Sequence, residues 1–168
     1  MDNQNPYSPP MTDLTKPVQN AEMELAGRGS RLGAALIDGV ISMIYAIPLF
    51  MVFGGMESMR RGENLPFMSL AIFSVLSIAA YTLVHGYFLK ANGQTVGKKI
   101  VGIRIANLEG NNPGLPHILL KRLVPVALLS VIPGIGPFIA LIDALFIFRS
   151  DKRCLHDLIA GTQVVVAK

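Results

Sequence analysis

Residues 67–89 read FMSLAIFSVLSIAAYTLVHGYFL, a run without a single Asp, Glu, Lys or Arg. About 20 apolar residues in a helix cross the roughly 30 Å hydrocarbon core of a bilayer, and a core helix of a soluble domain is rarely so long. This run is therefore expected to span a membrane. Toward the N-terminus, residues 32–53 form a second apolar run whose only charge is Asp38. Toward the C-terminus, residues 118–148 form a third apolar region, too long for one span and short for two. Ile132-Pro133-Gly134-Ile135-Gly136-Pro137 lies in its middle, and Pro and Gly at that density break a helix. Two short helices, 117–132 and 137–149, are expected to form a hairpin there. The hairpin crosses with tilt or dips in from one side; one long kinked helix is the alternative. The expected fold is an all-α membrane protein, a helical bundle of about four segments.

Charge is sparse and unevenly placed. Of 168 residues, 51% are hydrophobic and 15% charged, where a soluble domain carries about 25% charged. The net charge of +4 would suggest nucleic acid for a soluble protein. Here the bases cluster at the ends of apolar runs, where they set topology, and no nucleic-acid partner is expected. Lys16, Arg28 and Arg31 precede the first run, and Lys90, Lys98, Lys99 and Arg104 follow the second. Lys121 and Arg122 open the third region, and Arg149, Lys152 and Arg153 follow it. The 54–66 loop has only Arg60 and Arg61, balanced by Glu57 and Glu63. Positive residues favour the cytoplasm, so both termini and the 90–116 loop are expected inside. The lone Cys154 excludes an internal disulfide and a several-Cys metal site.

The flanks read differently. Residues 1–26 are polar and lack the basic stretch and apolar core of a secretory leader. They are expected to be a disordered cytoplasmic tail, in which Asn5-Pro6-Tyr7-Ser8-Pro9-Pro10 offers a polyproline segment. In the 90–116 loop, the pattern across Lys99-Ile100-Val101-Gly102-Ile103-Arg104-Ile105-Ala106 has the period of a strand. Thr162-Gln163-Val164-Val165-Val166, in the C-terminal segment 150–168, is also β-prone. The two are expected to pair as a small cytoplasmic ribbon. A lone ribbon is marginal in water, so it must rest on the helices. Lys98 and Lys99 are expected to meet anionic lipid headgroups.

A charged group at bilayer depth costs a few kcal/mol on insertion scales, so each one is a candidate functional residue. Arg31, Asp38, Ser42 and Tyr45 fall on one helix face. Arg31 is about 10 Å along the axis from Asp38 and is expected to tune its ionisation. Ser74, Ser77, Tyr81 and His85 form a second stripe. Asp143 and His85 are expected at the depth of Asp38, giving two carboxylates and an imidazole in one layer. Such a layer is a cation or proton site; the alternatives are an assembly ion pair for Asp38 with Arg31 and neutralisation of Arg122 by Asp143. Gly93-Gln94-Thr95-Val96-Gly97-Lys98-Lys99 has the wrong glycine spacing for a phosphate loop. His156-Asp157 has no nucleophile nearby except Cys154. No enzyme activity and no cofactor are expected, and the motifs leave any metal open.

Four segments together resemble the RDD family of small bacterial membrane proteins. They are Arg28–Asp38 (RGSRLGAALID), Gly93–Arg104 (GQTVGKKIVGIR), Lys121-Arg122-Leu123, and Leu155–Val165 (LHDLIAGTQVV), in that order and spanning residues 26–168. The resemblance implies a membrane domain over residues 27–168 in a bacterial cytoplasmic (inner) membrane. It also implies that Arg31 is the family's Arg, Asp38 its first Asp and Asp157, beside His156, its second. Asp157 is expected to clamp backbone groups or pair with Arg31 or Arg122. The family has been linked to transport of ions or small ligands. The function expected is cation/proton exchange through Asp38, with Asp143 or His85 assisting, by a homo-oligomer, since four short spans enclose little volume. The alternative is a membrane adaptor or assembly factor that works through the tail and the basic loop.

Overall fold

The computed structural model describes residues 23–130, 132, 134 and 136–167. The proline-bearing tail segment, and the expectation of disorder up to residue 22, lie outside them. Helix α1 (Arg28–Val52) and helix α3 (Phe67–Asn92) cover the two apolar runs. Among the described residues they are the two helices long and apolar enough to cross a membrane. At about 1.5 Å per residue each exceeds 35 Å, more than the hydrocarbon thickness. Leu32, Leu36, Val40, Met43, Ile47 and Met51 of α1 are each more than half exposed. In water such a face would be costly; in lipid it is the outer wall. A short helix α2 (Gly55–Arg61) lies in the connecting loop. The rings of Phe50 and Phe73 meet edge to face at 6.1 Å, joining the end of α1 to the start of α3.

Everything else that concerns the site gathers at the opposite end. Helix α3 stops at Gly93, whose φ of 67° suits a residue without Cβ. The Gly93 and Gln94 N–H groups close the helix on Leu89 and Phe88 carbonyls. A Cβ on Gly93 would also meet the Ile105 carbonyl, because the first strand passes directly over this turn. Helix α4 (Val96–Val101) follows, capped by the Thr95 hydroxyl, which accepts from the Lys98 N–H. Strand β1 (Ile103–Asn107) then leads to α5 (Leu115–His117), which runs into a π-helical turn (Ile118–Leu123) and α6 (Val124–Ser130). Helix α7 (Gly136–Leu145), extended by a 3₁₀ turn (Phe146–Phe148), returns from it. Helix α8 (Leu155–Ala160) and strand β2 (Thr162–Val166) complete the chain.

The ribbon forms as expected: β1 and β2 are antiparallel, with Ile105 opposite Val164. Its start is later than expected, because residues 99–101 belong to α4. The capped helical turn at Thr95 outcompetes the local strand pattern there. Leu25 bridges to Val165, and the Ala26 N–H donates to the Val164 carbonyl, so the stretch before α1 is tied to the ribbon's edge. The ribbon rests on the helices through two apolar clusters. Ala26, Ala34, Ile103 and Val164 form one; Leu89, Ile105 and Ile118 form the other. Burying a Leu or Ile fully contributes roughly 1.5–3 kcal/mol, which offsets the weakness of two strands alone.

Candidate functional site

The site is built from two buried carboxylates and what reaches them. Asp157 opens α8 and has no exposed surface. It accepts from the Cys154 N–H at 3.1 Å, which caps α8, and from the Thr162 hydroxyl at 3.3 Å, which ties α8 to β2. Two guanidiniums complete its shell. Arg31, from α1, pairs with Oδ2 and also donates to the Lys152 carbonyl. Arg122, from the π-helical turn, reaches Oδ1 at 2.8 Å. The extra residue of a π turn rotates this part of the helix, so Ile118 and Arg122 are both buried. Burial alone would raise the Asp157 carboxyl. The charges of Arg122 and Arg31, with the Arg31 hydrogen bond, outweigh burial and hold it below the usual carboxylate range.

The chain of contacts continues outward. Arg122 Nη2 lies 2.8 Å from His156 Nε2, and His156 Nδ1 lies 2.7 Å from an Asp143 oxygen. A guanidinium can only donate, so Nε2 accepts and Nδ1–H donates to Asp143. Burial, then the neighbouring Arg122 charge, lower the His156 pKa and hold the ring neutral. Four elements of the helical end are thus linked through Asp143, His156, Arg122, Asp157 and Arg31. Cys154, His156 and Asp157 place ligand atoms within 4.8 Å of one another. They make a poor cation site, since two guanidiniums occupy Asp157 and burial pushes the Cys154 thiol up to about 11.

Asp38 is held otherwise. It accepts from the Gly97 N–H at 2.7 Å and the Thr95 hydroxyl at 2.5 Å, so α1 caps the start of α4. Gly97 is required by this approach, because a Cβ there would lie 2.8 Å from the Asp38 oxygen and strike the Ala34 carbonyl. The Lys98 ammonium stands 3.9 Å from Asp38, its side chain only 17% exposed. Burial first, and the Arg122 charge second, lower the Lys98 pKa to about 8 despite Asp38 and Asp157. His85 supports the same turn from α3: its Nδ1 accepts from the Val96 N–H at 3.2 Å, and Tyr81 packs against the ring. Among the described residues Ser77 Oγ, His85 Nε2 and Arg122 Nη1 are buried without a hydrogen-bond partner.

A cavity of about 340 Å³ separates the two groups. Asp38, Tyr81, Lys98, Arg122, Asp143 and His156 line it. Asp38 and Asp143 therefore share one cavity, but the imidazole that joins them is His156. His85 is absent from the lining and faces α4 instead. Arg31 engages Asp157, not Asp38 as expected, because Asp157 comes into contact while seven helical residues separate Arg31 from Asp38. Asp157 pairs with both Arg31 and Arg122, and Asp143 meets His156 rather than Arg122. Lys98 turns toward Asp38; Lys99 lies over the Phe88 ring at 4.1 Å. The roles of Lys98 and Tyr81 in the cavity were missed. The signal for Lys98 was its place three residues after a capping Thr.

A family model described as "RDD family" matches residues 25–161, which contain every residue of this site. The uncharacterized protein YckC of Bacillus subtilis (strain 168) is 34% identical over 142 residues, covering 84% of this chain and 85% of that protein. An uncharacterized protein of Haemophilus influenzae (strain ATCC 51907 / DSM 11121 / KW20 / Rd) is 26% identical over 151 residues, covering 89% of this chain and 81% of the relative. No solved structure matches.

Proposed function

The chain belongs to the RDD family, and from that premise we propose that it is a membrane transporter exchanging a monovalent cation for a proton at Asp38 and Lys98. The observation that carries the proposal is the largely buried Asp38–Lys98 pair on the wall of a cavity that also holds Asp143. A lysine whose pKa lies near 8 releases its proton within the working range of a cell. Once it does, Asp38 has lost its countercharge and attracts a cation from the cavity. Tyr81 and Ser42, which also line it, offer further oxygens. One proton leaves and one monovalent cation enters, so the charge of the cavity is unchanged. Asp143, steadied by His156, is the second carboxylate on the path. In this reading the end rich in Lys and Arg lies in the cytoplasm of a bacterial inner membrane, as the preference of positive residues for that side supports, with the α6–α7 hairpin dipping in from the same side. A second copy of the chain completes the path to the other face.

The test is ion-driven proton movement in proteoliposomes loaded with a pH-sensitive dye. Sodium, potassium or lithium is added outside, and wild type is compared with Asp38→Asn. Flux that requires Asp38 is expected. Absence of flux from protein shown to be folded would sink the exchange reading. The adaptor reading would gain if removing residues 1–22 abolished the cellular role while leaving flux intact. The deletion stops there because Leu25 and Ala26 belong to the ribbon.

A further inference from the structure

A second cavity, about 400 Å³, adjoins the first and shares Lys98, Arg122, Asp143 and His156 with it. Its remaining walls divide sharply by chemistry. Arg28 and Arg31 supply charge; Leu32, Leu145, Ile147 and Phe148 supply apolar surface. Leu32, Leu145 and Phe148 are each more than half exposed, so this wall is continuous with the apolar surface of α1. The polar side is cationic. Arg28, Arg31, Lys98 and Arg122 line it together with Asp143, and Arg31 and Lys98 pair with Asp157 and Asp38. Four cations against three carboxylates leave one positive charge.

Arg122 is the informative member. It is 8% exposed, and its Nη2 is spent on Asp157 and His156. Among the described residues its Nη1 has no partner. A buried guanidinium N–H left unpaired costs free energy that an acceptor oxygen would recover. The acceptor must be anionic to match the surplus charge, and it must enter past Leu32 and Phe148.

We propose that this cavity binds one anionic phospholipid, with the phosphate at Arg122 and Lys98 and an acyl chain along Leu32, Leu145 and Phe148. A free phosphate would satisfy the guanidinium equally, but it would leave the exposed apolar wall uncovered. The lipid matches both halves of the cavity. The lipid would share Lys98 with the proposed exchange site, but its test reads binding and not flux, so failure of one leaves the other standing.

Native mass spectrometry of the full chain in neutral detergent tests it, with phosphatidylglycerol, phosphatidylcholine or inorganic phosphate added. One phosphatidylglycerol per chain is expected to be retained in clear preference to phosphatidylcholine. Arg122→Gln is expected to weaken it about tenfold, the worth of one charge-assisted hydrogen bond. Because Arg122 also holds Asp157, Phe148→Ser serves as the second variant. It leaves the ion pairs intact and is expected to weaken phosphatidylglycerol while leaving any inorganic phosphate binding unchanged. Equal retention of both lipids, or retention unaltered by Phe148→Ser, would overturn the proposal. Inorganic phosphate displacing the lipid at comparable concentration would overturn it in favour of a small-anion site.

Discussion

Asp157 and Asp38 sit at the same end of the molecule, Asp38 on the wall of a cavity and Asp157 fully buried, and their surroundings differ in kind. Asp157 has two guanidiniums, a backbone N–H and a hydroxyl on its two oxygens, all from different parts of the chain. Asp38 also holds a backbone N–H and a hydroxyl, but among the described residues the cation paired with it is a lysine at 3.9 Å with its pKa near 8. Arginine does not give up its proton in a protein, whereas buried lysine does. A carboxylate saturated by arginines is fixed in one state. A carboxylate opposite a lysine on a cavity wall has a countercharge that can leave. The comparison separates the two acids that a motif would treat as alike: Asp157 organises the fold, and Asp38 is placed to exchange.

The largest effect is expected from Asp157→Asn. Removing one partner of a buried ion cluster costs about 3–5 kcal/mol, because the remaining charges are left uncompensated. Helicity lost on heating in detergent should fall at a much lower temperature, with poor folded yield. Unchanged stability would break the contrast at once. Asp38→Asn comes next and separates the two acids in the other direction. Asn can still accept from Gly97, so the loss should resemble that of a weakened cap, about 1 kcal/mol, while cation-driven proton flux disappears. A variant equally unstable and equally inactive at both positions would make Asp38 a second clamp.

Acidity sharpens the contrast further. Flux through wild type is expected to rise as pH climbs through about 8, where Lys98 gives up its proton. Lys98→Arg keeps its charge at every accessible pH, so flux should be low and flat across that range. The linkage for stability has the same origin. The Lys98 pKa is lower in the fold than in the unfolded chain, so the unfolded state binds more protons between about 8 and 10.5. Stability from this group should therefore increase as pH rises through that window. The smallest effect concerns His156, whose pKa is also lowered. As pH falls below the ordinary histidine value of about 6.5, the unfolded chain takes the proton first, and stability declines. A thermal melt series between pH 5 and 8 should show that decline in wild type and lose it in His156→Gln. Asp157, held below the usual carboxylate range, adds its own loss only at lower pH.

Much of the fold was legible because a bilayer imposes local rules. A run such as 67–89 has to be helical and outward-facing apolar, whatever it packs against. The ribbon was legible from a period of two in both segments, although the cap at Thr95 moved its start. Asp38 and Asp143 stood out by being rare in apolar surroundings, and Asp157 through the resemblance to the family. Their partners did not. Seven helical residues between Arg31 and Asp38 suggested a pair, but sequence spacing states only which face a residue occupies, not what approaches that face.

From the sequence alone came the two helices long and apolar enough to cross a membrane, the pairing of a strand before residue 107 with one at 162, and the identity of Arg31, Asp38 and Asp157 as residues of consequence. The sequence offered Arg31 or Arg122 as partners of Asp157; only the tertiary structure joined both to it, Arg31 across 126 positions, and set Asp38 on Thr95 across 57. It also turned Lys98 toward Asp38 and left Arg122 Nη1 without a partner among the described residues. The division has one physical cause. Hydrophobic periodicity is set by each segment's relation to its solvent, which is written locally. Pairing of buried charges depends on which segments meet, and that is decided by the packing of the whole chain.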